Sequence, residues 1–415
     1  MNILFIHQNF PGQFKFLSQA LAANGHNVVA LSLRFNEPKV WHNVRIQNYK
    51  LTRGSSSDIY PGLRDFESQS IRAEACFKAA LQLKKDGFRP DVIIAHPGWG
   101  ESLFLKEVWP SASLGIYCEF FYNAKGADFN FDPEFSSSDP LDEIRLHLKN
   151  VNNILHMNFA DSGVSPTKWQ SATFPEPFRS SIRIIHDGVD TDAVSPNRGL
   201  SVRLNDSHQF SSGDEIITFV SRNLEPYRGY HIFMRALPEI LRRRPKAQIL
   251  IIGGDSVSYG SSPQTFGHSS ETSWKQIFID EVRPFIEDED WGRVHFVGAV
   301  PYRFFLPLLQ ISTVHVYLTY PFVLSWSLLE AMSVGCAIVA SDTPPVQEVI
   351  SHDNTGRLVG FFDIPLLVDQ ICDLLEDPSG RARLGRIARE FVRSSYDLKR
   401  VCLPQQLDWV LSLRR

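Results

Sequence analysis

Several short groups of polar residues interrupt the apolar runs of this 415-residue chain, and each suits a definite chemistry. In Ser221-Arg222-Asn223-Leu224-Glu225-Pro226-Tyr227-Arg228-Gly229, two arginines flank a turn between an apolar run and a helical pattern. Guanidinium forks beside a helix start suit a diphosphate, because charged donors and free backbone amides converge on the anion. Otherwise they are surface arginines paired with Glu225. The run from Tyr320 through Phe322-Val323-Leu324-Ser325-Trp326-Ser327 to Glu330 reads as strand end, turn and helix start. Its free amides suit an anion. Glu330 would accept two hydroxyls of a ribose, or close a capping box with Ser327.

Three further groups follow predicted strands. His96 heads His96-Pro97-Gly98-Trp99-Gly100-Glu101 and reads as a cleft residue or a satisfied structural histidine. Glu119, in Cys118-Glu119-Phe120-Phe121-Tyr122, is a carboxylate among aromatics, whose pKa would rise if buried, or else a solvated glutamate. His186-Asp187-Gly188-Val189-Asp190 has Asp-Gly turn chemistry. Asp190-Thr191-Asp192 is formally a DxD pattern, too short to assign a metal, and no metal is expected. The Ser- and Gly-rich stretch Asp255 to Ser273 is long enough for a functional lid or a disordered loop.

The elements that must position these groups alternate. Apolar runs at Asn2–Ile6, Asn27–Ser32, Asp91–Ala95, Ser113–Cys118 and Arg183–Ile185 predict strands, and Leu141–Phe159 a helix. Runs without strict alternation suit a parallel sheet covered on both faces. Residues Pro196 to Gly213 turn polar and read as a linker. The pattern then restarts with strands at Glu215–Val220, Gln248–Ile252, Val294–Val297, Val314–Leu318 and Ala337–Ala340. Helical periods cover Tyr230–Arg244, Ser327–Ser333, 364–376, 380–394 and 399–413. The expected fold class is α/β, with one doubly wound domain over 1–195 and a second over 205–398. Ligands of such sheets sit beyond the carboxyl ends of the strands, where the polar groups lie.

Composition removes other classes. With 42 basic and 46 acidic residues the net charge is −4, against a strongly basic nucleic-acid binder. Five scattered cysteines without a CxxC pair fit neither a disulfide framework nor a zinc ribbon. The start, MNILFIHQNFPGQF, is not a signal peptide, and no run reaches the roughly 18 apolar residues of a membrane helix. A cytoplasmic protein, at most peripheral to the inner face of a membrane, is expected. GxGxxG, P-loop, GxSxG and HExxH signatures are missing, which argues against dehydrogenase, NTPase, α/β-hydrolase and zinc peptidase.

In this order the motifs resemble the family 4 glycosyltransferases of the GT-B fold, over nearly the whole chain and most strongly from 181 to 360. Leu329-Glu330-Ala331-Met332, Gly335, Ala337 to Ala340, Glu348-Val349-Ile350 and Gly356-Arg357-Leu358-Val359 are similar to the donor-nucleotide half of that family. Ile184 to Asp190 is similar to its interdomain turn. The resemblance implies two Rossmann-like domains facing across a cleft, the first on the acceptor side and the second binding the donor. It places Arg222 and Arg228 on the donor diphosphate, Gly12 in a loop near the phosphates and Glu330 on the ribose. It also brings residues 399–415 back onto the first domain. Two departures stand out. Phe322 lies eight positions before Glu330, where the family has a sugar-side glutamate, and phenylalanine accepts no hydrogen bond. The family histidine near the sugar is replaced, with Glu119 about at its place, while His96 matches an earlier family histidine. The backbone amides of Val323, Leu324 and Ser325 need no side chain to serve sugar or phosphate.

The implied activity is transfer of a sugar from a nucleoside diphosphate sugar to a hydroxyl of a glycan or lipid-linked acceptor, with retention and without a metal or other cofactor. Arg222 and Arg228 would stabilise the leaving diphosphate, and His96 and Glu119 would contact donor sugar or acceptor. Two alternatives remain: a nucleotide-sugar epimerase on the same fold, and a non-catalytic partner protein, which Phe322 favours. Sugar, base, acceptor and oligomeric state are not specified.

Overall fold

The computed structural model describes residues 1–35 and 37–414. The chain forms two compact units. The first comprises Met1–Asn130, Ser136–Gly188 and the chain from Leu398 onward; the second comprises Phe131–Phe135 and Val189–Asp397.

The strands of the first unit are β1 (Asn2–Ile6), β2 (Asn27–Ser32), β3 (Lys39–Trp41), β4 (Val44–Asn48), β5 (Val92–Ala95), β6 (Ser113–Tyr117), β7 (Ser162–Ser165) and β8 (Ile182–Ile184). They form one sheet of order β3-β4-β2-β1-β5-β6-β7-β8, parallel except for β3. Ile3, Leu4, Phe5 and Ile6 are all fully buried, as a strand covered on both faces must be. Alternate residues feed two cores. Leu4 and Ile6 join Cys76, Ala80 and Leu83 of the helix Arg64–Lys85. Ile3 and Phe5 join Leu17 and Leu21 of the helix Lys15–Ala23, together with Trp409 and Val410 near the C-terminus. The β3–β4 hairpin is not among the strands expected from the sequence. Its turn uses His42 and Asn43 at φ 47° and 64°, the left-handed pair of a tight hairpin turn made without glycine.

The helix Leu403–Ser412 packs on this sheet. Gly115 in β6 makes room for it, since a Cβ there would stand 2.8 Å from the Trp409 ring and 2.7 Å from Leu413. Trp409 Nε1 donates to Ser162 Oγ at 3.1 Å, and Gln406 Nε2 donates to the His186 carbonyl at 2.9 Å. Arg415, the last residue of the expected 399–415 stretch, lies outside the described residues.

The second unit has the hairpin β9 (Ser201–Arg203) and β10 (Gln209–Ser211), followed by β11 (Ile216–Asn223), β12 (Gln248–Gly254), β13 (Val294–Gly298), β14 (Val314–Tyr317), β15 (Ala337–Ser341) and β16 (Arg357–Val359). The last six form a parallel sheet of order β13-β12-β11-β14-β15-β16. The structure differs from three sequence expectations. The polar stretch 196–213 is not a plain linker: it carries the antiparallel β9–β10 hairpin. Phe210 is buried with Ile216, Leu250 and Ile252, and Leu200, Val202 and Leu204 pack alongside, an alternation hidden among polar neighbours. The boundary between units falls at Gly188/Val189 rather than at 195, because Val189 N–H bonds the Tyr396 carbonyl and Ser333 Oγ bonds the Val194 carbonyl. Phe131–Phe135, expected within the first domain, packs with the second unit. Phe131 lies among Tyr320, Phe361 and Phe362, and Asp132 accepts from Tyr320 Oη at 2.7 Å. Glu134 takes a two-point bond from Arg235.

The predicted helix 141–159 is two, Leu141–Lys149 and Val151–Phe159, meeting at Asn150, whose amide side chain bonds both N–H and C=O of Tyr122. Trp409→Ala should destabilise the protein by about 3–5 kcal/mol in denaturant melts, as deletion of a large buried ring does. Leu411→Ala, on the exposed side of the same helix, should stay within about 0.5 kcal/mol of the parent.

Candidate active site

Both units present polar side chains at the carboxyl ends of parallel strands. In the first, β1, β5 and β6 are neighbours, so the residues that follow them converge: His7 after Ile6, His96 after Ala95, and Glu119 two residues past Tyr117. Glu119 Oε2 stands 3.6 Å from His96 Nε2, and its Oε1 accepts from Gln13 Nε2 at 3.3 Å. Gln13 Oε1 lies 2.8 Å from His7 Nε2. The His96 ring is buried between Trp99 and Tyr117, with centroids 4.6 and 5.3 Å away. Burial alone would raise the Glu119 carboxyl, but the electrostatic effect of the nearby His96 imidazole, with the Gln13 amide, outweighs it and its pKa lies below the ordinary value. Burial holds His7 neutral, with its pKa lowered to about 3.

The structure therefore brings together His96 and Glu119, both expected from sequence, and adds His7 and Gln13, which were not. The signal was present: His7 follows a buried strand as His96 does. Gly12, expected near donor phosphates, has a local reason to be glycine. At φ 47°, a Cβ would lie 2.2 Å from His7 Nε2.

In the second unit, Arg222 is exposed near the end of β11. Arg228 is buried; its Nη1 donates to Thr319 Oγ1 at 2.8 Å and to the Val323 carbonyl at 2.9 Å. Its guanidinium carbon lies 4.9 Å from the Tyr259 ring centre and 5.7 Å from that of Phe322. Neither arginine is ion-paired with Glu225 among the described residues. Glu225 instead accepts the N–H groups of Ser258, Tyr259 and Gly260, while burial raises its pKa. This grip orders the start of the long loop, and Trp274 Nε1 holds it again at the Ser261 carbonyl, 3.0 Å away.

The loop after β14 leads into the helix Trp326–Val334, whose N-cap is Ser325. Of the amides expected to face a ligand, that of Ser325 donates to Tyr317 Oη at 2.8 Å. Leu324 is buried, and Val323 contributes its carbonyl to Arg228. The capping box does not form: Ser327 lies inside the helix, and Glu330 accepts from Tyr302 Oη at 2.8 Å. Burial raises Glu330 to about 7. Phe322 is buried, its ring 5.1 Å from both Tyr227 and Tyr259.

The remaining groups are structural. His186 Nδ1 accepts Gly188 N–H at 3.0 Å, and Asp190 Oδ1 accepts Ala193 N–H at 3.3 Å, so both close turns. Asp132, Glu134 and His231 bring ligand-type atoms within 4.8 Å of one another. Tyr320 and Arg235 already engage the two carboxylates, making this an internal ion-pair network.

Residues 24–194 match the model of the glycosyl transferase family 4 group, and residues 203–391 that of the glycosyl transferases group 1. The GDP-mannose-dependent alpha-(1-6)-phosphatidylinositol monomannoside mannosyltransferase of Mycolicibacterium smegmatis is 24% identical over 58% of this chain. The chain spans 59% of that relative's length. The glycogen synthase of Mycobacterium tuberculosis is 24% identical over 93% of this chain and 86% of its own. Among solved structures, sucrose-phosphate synthase from Thermosynechococcus elongatus superposes with a TM-score of 0.73 at 18% identity, covering 99% of this chain and 98% of its own. Anabaena HepE in complex with UDP gives 0.65 at 15% identity, covering 99% and 100%. The two matched models together account for most of the chain, so each unit carries a glycosyltransferase family match together with the parallel sheet of the GT-B fold.

Proposed function

We propose that the protein transfers a sugar from a nucleoside diphosphate sugar to a hydroxyl of a glycan or glycolipid acceptor, with retention and without a metal. The observation that carries this reading is the link between Arg228 and the loop that starts the Glu330 helix, through the Val323 carbonyl. It joins an arginine suited to a diphosphate with a carboxylate suited to a ribose. The relatives support the donor class, since one enzyme is GDP-mannose-dependent and HepE is seen with UDP and with UDP-glucose.

Charge develops on the leaving diphosphate as the bond to the sugar breaks. Arg222 and Arg228 would stabilise it, with amides at the start of the Glu330 helix. The loop must adjust for this, because Ser325 N–H bonds Tyr317 in the structure described here. Glu330 would take the ribose hydroxyls in place of Tyr302, and must be ionised to accept both. Gly12 would let its loop approach the donor phosphates, while His96 and Glu119 would meet donor sugar or acceptor. Among the described residues no helix is long and apolar enough to cross a membrane. We place the enzyme in the cytoplasm, with a lipid-linked acceptor reached by peripheral contact.

Binding of UDP-, GDP- and ADP-sugars, with nucleotide release, tests the reading. One donor should bind, and Arg222→Ala should weaken it about tenfold or more, the scale of one lost charged hydrogen bond, without lowering Tm. Glu330→Ala should also weaken it; a folded protein that binds no donor refutes the transferase. Donor affinity should rise with pH through about 7, as Glu330 ionises. Stability of the free protein has the opposite slope. The folded state holds the Glu330 proton up to about pH 7 and the unfolded state only to about 4.5, so stability falls between them. Glu330→Gln should therefore raise Tm more at pH 8 than at pH 5.

A further inference from the structure

We propose that His7 and Gln13 are positioning residues acting through Glu119: they hold its Oε1 so that Oε2 and the Nε2–H of His96 form a two-point seat for one hydroxyl of a neutral sugar. The sugar as occupant rests on the transferase reading; the hydrogen-bond relay rests on geometry alone. Asn9 N–H donates to His7 Nδ1 at 3.0 Å, so the proton of this neutral ring is on Nε2, facing Gln13 Oε1 at 2.8 Å. That fixes the amide of Gln13, whose Nε2 faces Glu119 Oε1 at 3.3 Å. In the same way Gly98 N–H donates to His96 Nδ1 at 3.2 Å and leaves Nε2 protonated. Among the described residues His96 Nε2 is buried without a hydrogen-bond partner, and at 3.6 Å from Glu119 Oε2 it is too far for a direct bond.

The gap selects its occupant. A hydroxyl accepts from Nε2–H and donates to the carboxylate at once. An ammonium has no lone pair for the imidazole N–H, and a phosphate would meet the negative Glu119. The carboxylate is partly open, its side chain 39% exposed, so the seat can be reached. The titratable groups facing Glu119 are His7, His96 and Tyr117, with Asp187 bonded to the far side of the Tyr117 hydroxyl.

The test is a pH titration of the full chain with 13C-labelled glutamate carboxyls, the Glu119 signal assigned by Glu119→Gln. In Gln13→Leu the Glu119 pKa should rise by about half a unit or more. The isosteric Gln13→Glu, which replaces a donor by a second carboxylate, should raise it further. Turnover of the accepted sugar nucleotide should fall about tenfold in both, with its acidic limb moved upward, while affinity for the bare nucleoside diphosphate stays at the parent value. A Glu119 pKa unmoved in both variants overturns the relay whether or not the protein turns over a donor. A moved pKa supports the relay, and equal loss of nucleotide affinity overturns its restriction to the sugar. Absence of donor binding by the parent protein refutes the transferase reading instead.

Discussion

A parallel strand buried on both faces has nowhere along its length to place a polar side chain at low cost. In β1 every residue from Ile3 to Ile6 is fully buried, and the first polar side chain after them is His7, directly beyond the strand. The same constraint sets His96 after β5 and Glu119 after β6, and in the second unit places Arg222 and Arg228 near the end of β11. Chemistry is pushed to the carboxyl edge because backbone ladders and apolar faces occupy the rest. Strand order then decides which edge residues meet: β1, β5 and β6 are adjacent, so residues about ninety and twenty-three positions apart in sequence share one corner.

Burial at most of these edge positions is tolerated because the polar group is engaged, and His96 Nε2 is an exception. Arg228 is buried, yet its guanidinium reaches a hydroxyl and a carbonyl. Glu225 accepts three consecutive amides, which stabilises a carboxylate while organising the loop from 258 to 260. Among the described residues Glu330 has one donor only, from Tyr302, which does not offset the burial that raises its pKa. A carboxylate short of donors is suited to receive hydroxyl groups from a ligand. Phe322 marks the contrast: it fills its place with a ring among Tyr227 and Tyr259 and offers nothing to a hydroxyl.

Much of this was legible in the sequence where local rules dominate. Long apolar runs bounded by turn residues identified most core strands, and the arginine and Glu330 motifs carried the family. The misses share a cause. The hairpin at 201–211 is held by Leu200, Val202 and Phe210 packing on a remote core, so its polar residues read as a linker. Phe131–Phe135 belongs to the second unit through Tyr320 and Arg235, partners about a hundred or more positions away. The Ser327–Glu330 spacing allowed a capping box, and only packing against Tyr302 decided otherwise.

The sequence by itself determined the alternation of strands and helices, the repetition of one α/β pattern, and the positions of the polar groups after strands. Those follow from periodicity and turn chemistry, which act over a few residues. Tertiary structure alone decided which groups touch: that His7 and Gln13 join His96 and Glu119, that Glu225 serves a loop rather than an arginine, and that Glu330 titrates near neutrality. Hydrogen-bond partners and desolvation depend on the spatial order of strands and helices, and residue spacing along the chain does not encode that order.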